Sequence, residues 1–347
     1  METVKVKKET KNKIKVDFER APLSERLKSK FLSLNFLVRI VFVIFRFVLL
    51  LGISYVILYP YIAKIFGSFM SPSDFTDVTV VLLSKNPTFD QYKYIITENG
   101  YFMALLNTFL VSLSIALIQT VICALIAYGL AKFKFKGNII VFALVVFTML
   151  VPQDAIKYAM QMFFANFNTN TLLGMGLNIT GIMPGAGFSN SIIPQYILAF
   201  LGLGFRNGLF IFMLRQFFTG VPDELEESAY VDGSSTFRTF FSIIIPLAIP
   251  MLITVFIFGF AWQWTDDFYT SIFFSQGYFD EPGSIQFLST IARTTPVSLR
   301  AAVDEVALYG SAITGTSSIL LALPLIIAFV FVQNKIVQGI ERSGIVG

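Results

Sequence analysis

The sequence predicts an all-α membrane protein of six transmembrane helices, with its N and C termini both on the cytoplasmic side. Three observations lead there. Of 347 residues, 55% are hydrophobic and only 14% are charged, whereas a soluble domain carries about 25% charged residues. Mean hydropathy is +0.71. Six apolar segments approach or exceed the about 20 residues that cross a bilayer core, and the basic stretches all fall on one side of them. Length alone would allow about two soluble domains, but composition overrides length.

Residues 1–35 form a polar tail with ten Lys or Arg residues. The apolar run 36–66 is too long for a secretory signal and lacks a small-residue cleavage site, so it reads as a retained first span. Spans two and three cover 102–131 and 138–163, joined by the short basic link Lys132, Lys134, Lys136. Span three contains Pro152, Asp154 and Lys157. It is kept as one span because neighbouring helices can satisfy a Pro-broken one, and Asp154 and Lys157, three apart, can pair on one helix face. Span four covers 192–218 and span five 243–264. Trp262 and Trp264 close the fifth where an interfacial aromatic belt would put them. Span six covers 306–332. The transmembrane domain is thus 36–334, followed by a tail over 335–347. With six spans, the basic tail, the basic link, 219–242 and the C terminus share one side, which the excess of Lys and Arg makes cytoplasmic. The outer loops are about 67–101, 164–191 (rich in Gly and Asn) and 265–305.

Several functions are disfavoured from the start. One Cys cannot form an intramolecular disulfide or a Cys-based zinc site, and there is no His, the usual general base and metal ligand. No catalytic constellation and no metal site is predicted. The net charge of +4 resides mostly in the N-terminal tail and is no nucleic-acid footprint.

Residues 219–246 are the one strongly patterned polar segment. Pro222 suits a first helical position, and Asp223, Glu224, Glu226 and Glu227 put negative charge on the positive end of the helix dipole. Gly233 is a natural stop. The spacing predicts a helix over 222–232, with Leu225 and Ala229 on its less polar face. Ser234 or Ser235 can cap a second helix, which leads into span five. Surface helices bind anionic lipid through Lys and Arg. An acidic helix with small residues, held between two spans, reads instead as a docking element for a partner protein.

The segment resembles the EAA loop of permease subunits of ATP-binding-cassette (ABC) importers, whose pattern runs E-A-A, two residues, D-G, nine residues, I-x-L-P. Glu227, Ser228 and Ala229 stand at E-A-A, Asp232 and Gly233 at D-G, and Ile243 to Pro246 at I-x-L-P, with Ser228 and Ile245 departing from it. The segments 107–137, 210–227 and 331–340, with W-Q-W-T-D-D-F at 262–268, are similar to the carbohydrate-uptake class and its maltose-permease-like branch. The likeness covers roughly residues 36–345. It implies a transmembrane subunit that moves a sugar or oligosaccharide across the bacterial inner membrane by alternating access. It also implies a second permease as heterodimer partner, two ATPase subunits and an extracytoplasmic solute-binding protein. ATP and Mg would sit on the ATPase, with no cofactor on this chain. The coupling helix would lie between spans four and five, and Glu226, Glu227, Ser228, Ala229, Asp232, Gly233, Ile243 and Pro246 would dock the ATPase. A stand-alone secondary transporter or channel, or an ABC permease for a non-sugar solute, remain open alternatives.

Polar groups inside spans cost enough that they face the bundle interior, pair, or serve a pathway. On that ground Gln119, Gln195, Arg206, Asn207 and Gln263 are candidate substrate-pathway residues, and Trp262 and Trp264 join them as rings on which a sugar can stack. Interhelical hydrogen bonding and packing are the competing uses, and Arg206 would instead lie in the headgroups if span four began near Gly208.

Overall fold

A computed structural model describes residues 5–9, 15–19, 34–165, 188, 190–204, 206–274 and 284–344. The chain divides into two compact units, 1–64 and 65–347. In the first, strands β1 (Lys5–Glu9) and β2 (Lys15–Glu19) pair antiparallel. Their backbone register sets Lys5 opposite Glu19, Lys7 opposite Asp17 and Glu9 opposite Lys15, and the rest of the described chain is helical, as expected. Helix α1 (Leu34–Gly67) follows. None of its apolar window is buried within the chain.

In the second unit, α2 (Pro72–Thr76) and α3 (Asp90–Glu98) precede α4 (Tyr101–Lys132), which starts after Gly100 at φ 62°. With 32 residues, α4 runs about 48 Å. That exceeds the about 30 Å hydrocarbon core, so Lys132 at its end reaches the headgroup level. Helix α5 (Asn138–Leu150) meets α6 (Gln153–Ala165) at a bend of 101°. Span three is therefore not one straight helix. Val151, ahead of Pro152, is extended at ψ 121°, the conformation proline imposes on its predecessor. Span four is not continuous either. Helix α7 (Ile193–Phe200) and helix α8 (Asn207–Thr219) are separated by a loop in which Gly202 and Arg206 take left-handed φ of 70° and 67°.

Next come α9 (Glu224–Val231), α10 (Thr236–Thr239), a π turn (Phe240–Ile244) and α11 (Ile245–Trp264). The π turn ends just ahead of Pro246, whose missing N–H cannot continue the α ladder. Short helices α12 (Phe268–Phe273), α13 (Leu288–Ile291) and α14 (Val297–Glu305) lead to α15 (Ala307–Gly344). Where a tail was expected from 335, the helix continues. Among the described residues four helices are long and apolar enough to cross a membrane, or five if the bent pair α5–α6 is one span.

Helix α4 is central, packed against α8 and α11, and α11 also packs on α15. Cys123, Ala124 and Ala127 let α4 approach Phe210, Leu214, Ala248 and Val255 closely, the small-residue packing that holds helices together where burial from water contributes little. Trp264 is buried and donates its indole N–H to the Leu321 carbonyl at 2.9 Å. It belongs to this packing and not to an interfacial belt. Residues 166–187 and 189, most of the Gly- and Asn-rich stretch 164–191, lie outside the described residues.

Candidate functional site

Helix α9 is shorter at both ends than the 222–232 expected, but its stop is the one the sequence indicated. Gly233 takes φ 82°. Its N–H donates to Tyr230 O at 3.0 Å, and Ser234 N–H donates to Ala229 O at 2.9 Å. These two bonds are the paired closure of a Schellman cap. The Ser235 hydroxyl accepts from Arg238 N–H at 3.4 Å and caps α10.

Helix α9 has two faces. Glu226 and Ala229 turn inward, each 6% exposed, although both were expected among the docking residues. Glu224, Leu225, Glu227, Ser228, Val231, Asp232 and Gly233 are exposed. Val231 is 87% exposed, and Phe237 in α10 is 73% exposed. The outward surface is therefore acidic with apolar tips. Ile243 is half-buried and Pro246 exposed. Ile243 belongs to the π turn and Pro246 to the first turn of α11.

The inward face is fixed by a lysine the sequence placed only in a basic link. Lys132 Nζ donates to Val221 O and to Asp223 Oδ1, each at 2.6 Å, and lies 3.4 Å from Glu226 Oε1. Glu226 Oε2 accepts from the Tyr128 hydroxyl at 2.9 Å. The hydrogen bond from Lys132, reinforced by its charge, holds the Asp223 carboxyl below its ordinary range. Around this clamp, Asn138 Nδ2 donates to Leu130 O and Phe133 O, and Arg215 Nε donates to Leu130 O, satisfying carbonyls at the end of α4. The link after α4, the end of α8 and the start of α9 are thus one polar unit.

The pathway candidates form separate groups. Gln263 Nε2 donates to Gln195 Oε1 at 3.0 Å. The Arg206 guanidinium lies 4.1 Å over the Trp262 ring, which stacks with Phe210 and Phe258. Gln119 and Asn207 approach one another across Gly204, where a Cβ would fall 2.8 Å from Gln119 Nε2 and 3.1 Å from Asn207 Nδ2. Asn207 is 1% exposed, and among the described residues neither of its side-chain polar atoms has a hydrogen-bond partner. Trp264, whose indole N–H is tied to α15, lines the same narrow cleft as Gln195 and Gln263.

Thr108, Ser112 and Asp266, which the sequence did not single out, join Gln195 and Gln263 around a cavity of about 10 Å³, room for one water at most. Asp266 accepts from the N–H groups of Tyr269 and Thr270 at 3.3 and 3.1 Å and so caps α12. Burial nonetheless pushes its carboxyl above the ordinary value. Asp154 and Lys157 form no ion pair within 4.0 Å among the described residues. Lys157 instead lines a second, larger cavity.

Residues 119–342 match the family described as the binding-protein-dependent transport system inner membrane component. The chain belongs to this family. It is therefore a multi-pass membrane transport component, and the matched region includes the clamp contacts at Tyr128 and Lys132, the α9 cap and the Gln195, Gln263 and Asp266 side of the polar cleft. The chain is 28% identical over 300 residues to the maltodextrin transport system permease protein MalD of Streptococcus pneumoniae, covering 85% of this chain and 92% of that one. It is 25% identical over 317 residues to the galactooligosaccharides transport system permease protein GanQ of Bacillus subtilis, covering 89% and 97%. In fold it is similar to a bacterial ABC transporter involved in import of the acidic polysaccharide alginate, with a TM-score of 0.61, 19% identity and coverage of 91% and 99%.

Proposed function

We propose that this chain is a permease subunit of a carbohydrate-importing ABC transporter in the bacterial cytoplasmic membrane, with residues 219–246 coupling it to an ATPase. The observation that carries the reading is helix α9. It is short and acidic, and its Gly233 cap and the Lys132 clamp hold it rigidly while one face stays exposed. A force applied to that face passes through Lys132 and Glu226 to the end of α4, the central helix. The maltodextrin and galactooligosaccharide relatives favour a sugar or oligosaccharide as cargo.

In this reading the bent pair α5–α6 and the broken pair α7–α8 each count as one span. That gives six, with the N and C termini in the cytoplasm. A second permease completes a heterodimer, each subunit receives one ATPase, and a solute-binding protein delivers the sugar outside. ATP and Mg reside on the ATPase. Closure of the ATPase pair moves α9 and opens the cleft at Gln195 and Gln263, which at about 10 Å³ is shut to a sugar here.

The test is co-purification with its ATPase subunit, with ATP-driven sugar uptake in proteoliposomes. Replacing Gly233 by Val should lower both. Normal co-purification and normal coupling would remove α9 as the docking element. Uptake by this chain alone, driven by an ion gradient, would support a secondary transporter instead.

A further inference from the structure

Beyond the narrow cleft lies a cavity of about 770 Å³ framed by α6, α12, α13 and α14, within the roughly 300–1,000 Å³ of small-molecule sites. It shares Thr270 and Ser289 with the wall of the narrow cleft, so the two spaces adjoin. At its lip Asp267 and Arg293 form an ion pair. Five other lining side chains make no hydrogen bond or salt bridge among the described residues: Lys157, Ser289, Thr295, Arg300 and Asp304.

That set, in which Arg300 is also attracted to Glu98, is chemically selective. Lys157 and Arg300 only donate, Asp304 only accepts, and Ser289 and Thr295 do both. An inorganic anion would use the donors and be repelled by Asp304 and Asp267. A metal ion would use the acceptors and be repelled by Lys157 and Arg300. An apolar ligand would bury all five without partners, at a cost for each. A neutral polyhydroxylated molecule, each hydroxyl both donor and acceptor, satisfies every member.

We propose that this cavity is a saccharide subsite within this subunit, an outer vestibule that holds a neutral oligosaccharide beside the shut cleft lined by Gln195 and Gln263. The proposal rests on the carbohydrate-importer reading and adds to it a binding site in this chain's own residues 157–304.

The native chain has one Cys, Cys123, which is buried, so Thr294→Cys, at a lining residue outside that set, supplies the reactive thiol in the full-length chain in nanodiscs. Maltotriose, galactotriose and arabinotriose are the probes, with digalacturonate and sodium phosphate as anionic controls. Labelling by a charged maleimide should slow with occupancy as one plus sugar concentration over Kd, by at least about fivefold at saturation, with one or more of the neutral sugars. Adding Arg300→Gln or Asp304→Asn should abolish that protection, read in each variant against its own sugar-free labelling rate, because the lost charge shifts that rate; a sugar-free rate that stays measurable shows the vestibule is still accessible. Protection by none of the three neutral sugars, or by the anions alone, would overturn the proposal. ATP-driven uptake of the same sugars by the assembled transporter separates the two failures. Uptake without protection removes only the vestibule, whereas absence of uptake for all three removes the carbohydrate reading on which it rests.

Discussion

Replacing Lys132 by Met tests the clamp beneath α9. Both side chains of the Lys132–Glu226 pair are 8% exposed, so the substitution leaves a carboxylate buried without its countercharge. Breaking a buried pair from one side costs about 3–5 kcal/mol. Glu226 keeps its hydrogen bond from Tyr128, which places the expected loss near the lower end, about 3 kcal/mol. Replacing Glu226 by Gln should cost less, about 1–2 kcal/mol, because Lys132 retains Val221 O and Asp223. The double variant removes both charges and should be more stable than Lys132→Met alone, giving a coupling of about 2 kcal/mol in a double-mutant cycle. The assay is denaturant unfolding of the purified chain in nanodiscs, run beside sugar-stimulated ATP hydrolysis by the assembled transporter. Lys132→Met should retain basal hydrolysis but lose stimulation, since α9 no longer moves with α4. Single-mutant effects that simply add, within about 0.5 kcal/mol, would show that the two residues do not act together and would refute the clamp.

Three further outcomes follow from particular residues. Gly233→Val forces a β-branched side chain into a left-handed φ of 82°, costing about 1–2 kcal/mol locally; ATPase co-purification should fall, and Gly233→Asn should be milder because Asn tolerates that region. Asn207→Ala removes two buried, unpartnered polar atoms, each worth about 1–3 kcal/mol of desolvation; unfolding should show a stability unchanged or raised by about 1 kcal/mol, while uptake falls if Asn207 contacts the sugar. Burial alone would raise the Asp74 carboxyl, but the Ser84 hydroxyl and the backbone N–H groups of Ser71, Asn86 and Lys85 outweigh it and hold the group below 3.8. Its contribution is therefore present above pH 3.8 and lost as pH falls through the lower folded value. Hydrogen exchange over residues 68–90 should rise on acidification, and Asp74→Asn should remove that dependence.

The limits of sequence reading fall at identifiable residues. The helices built from long apolar runs were legible, because lipid imposes length and composition directly. The α9 stop was legible because only Gly takes the left-handed cap without strain. The breaks were not. Pro152 and Gly202 signal a local departure from the helix, but the 101° bend and the separation of α7 from α8 depend on what packs around them. The N-terminal hairpin was missed because its charges were counted as a tail and not as two strands in register. Hydrophobic pattern and spacing also say nothing of direction around a short helix. Glu226 and Ala229 were grouped with the exposed docking residues, yet tertiary contacts from Tyr128 and Lys132 turn them inward. Lys132 and Asp266 were passed over for the same reason, since a basic link and a W-x-W-x-D segment acquire their roles only through partners distant in sequence.

The central claim is that this subunit moves sugar under power delivered through α9. The most direct measurement is uptake of labelled maltotriose into proteoliposomes holding this chain, its companion permease and the ATPase. Uptake should require ATP and be lost with Gly233→Val while the ATPase itself remains active. Uptake that persists without ATP, or that is unchanged by Gly233→Val, would contradict it.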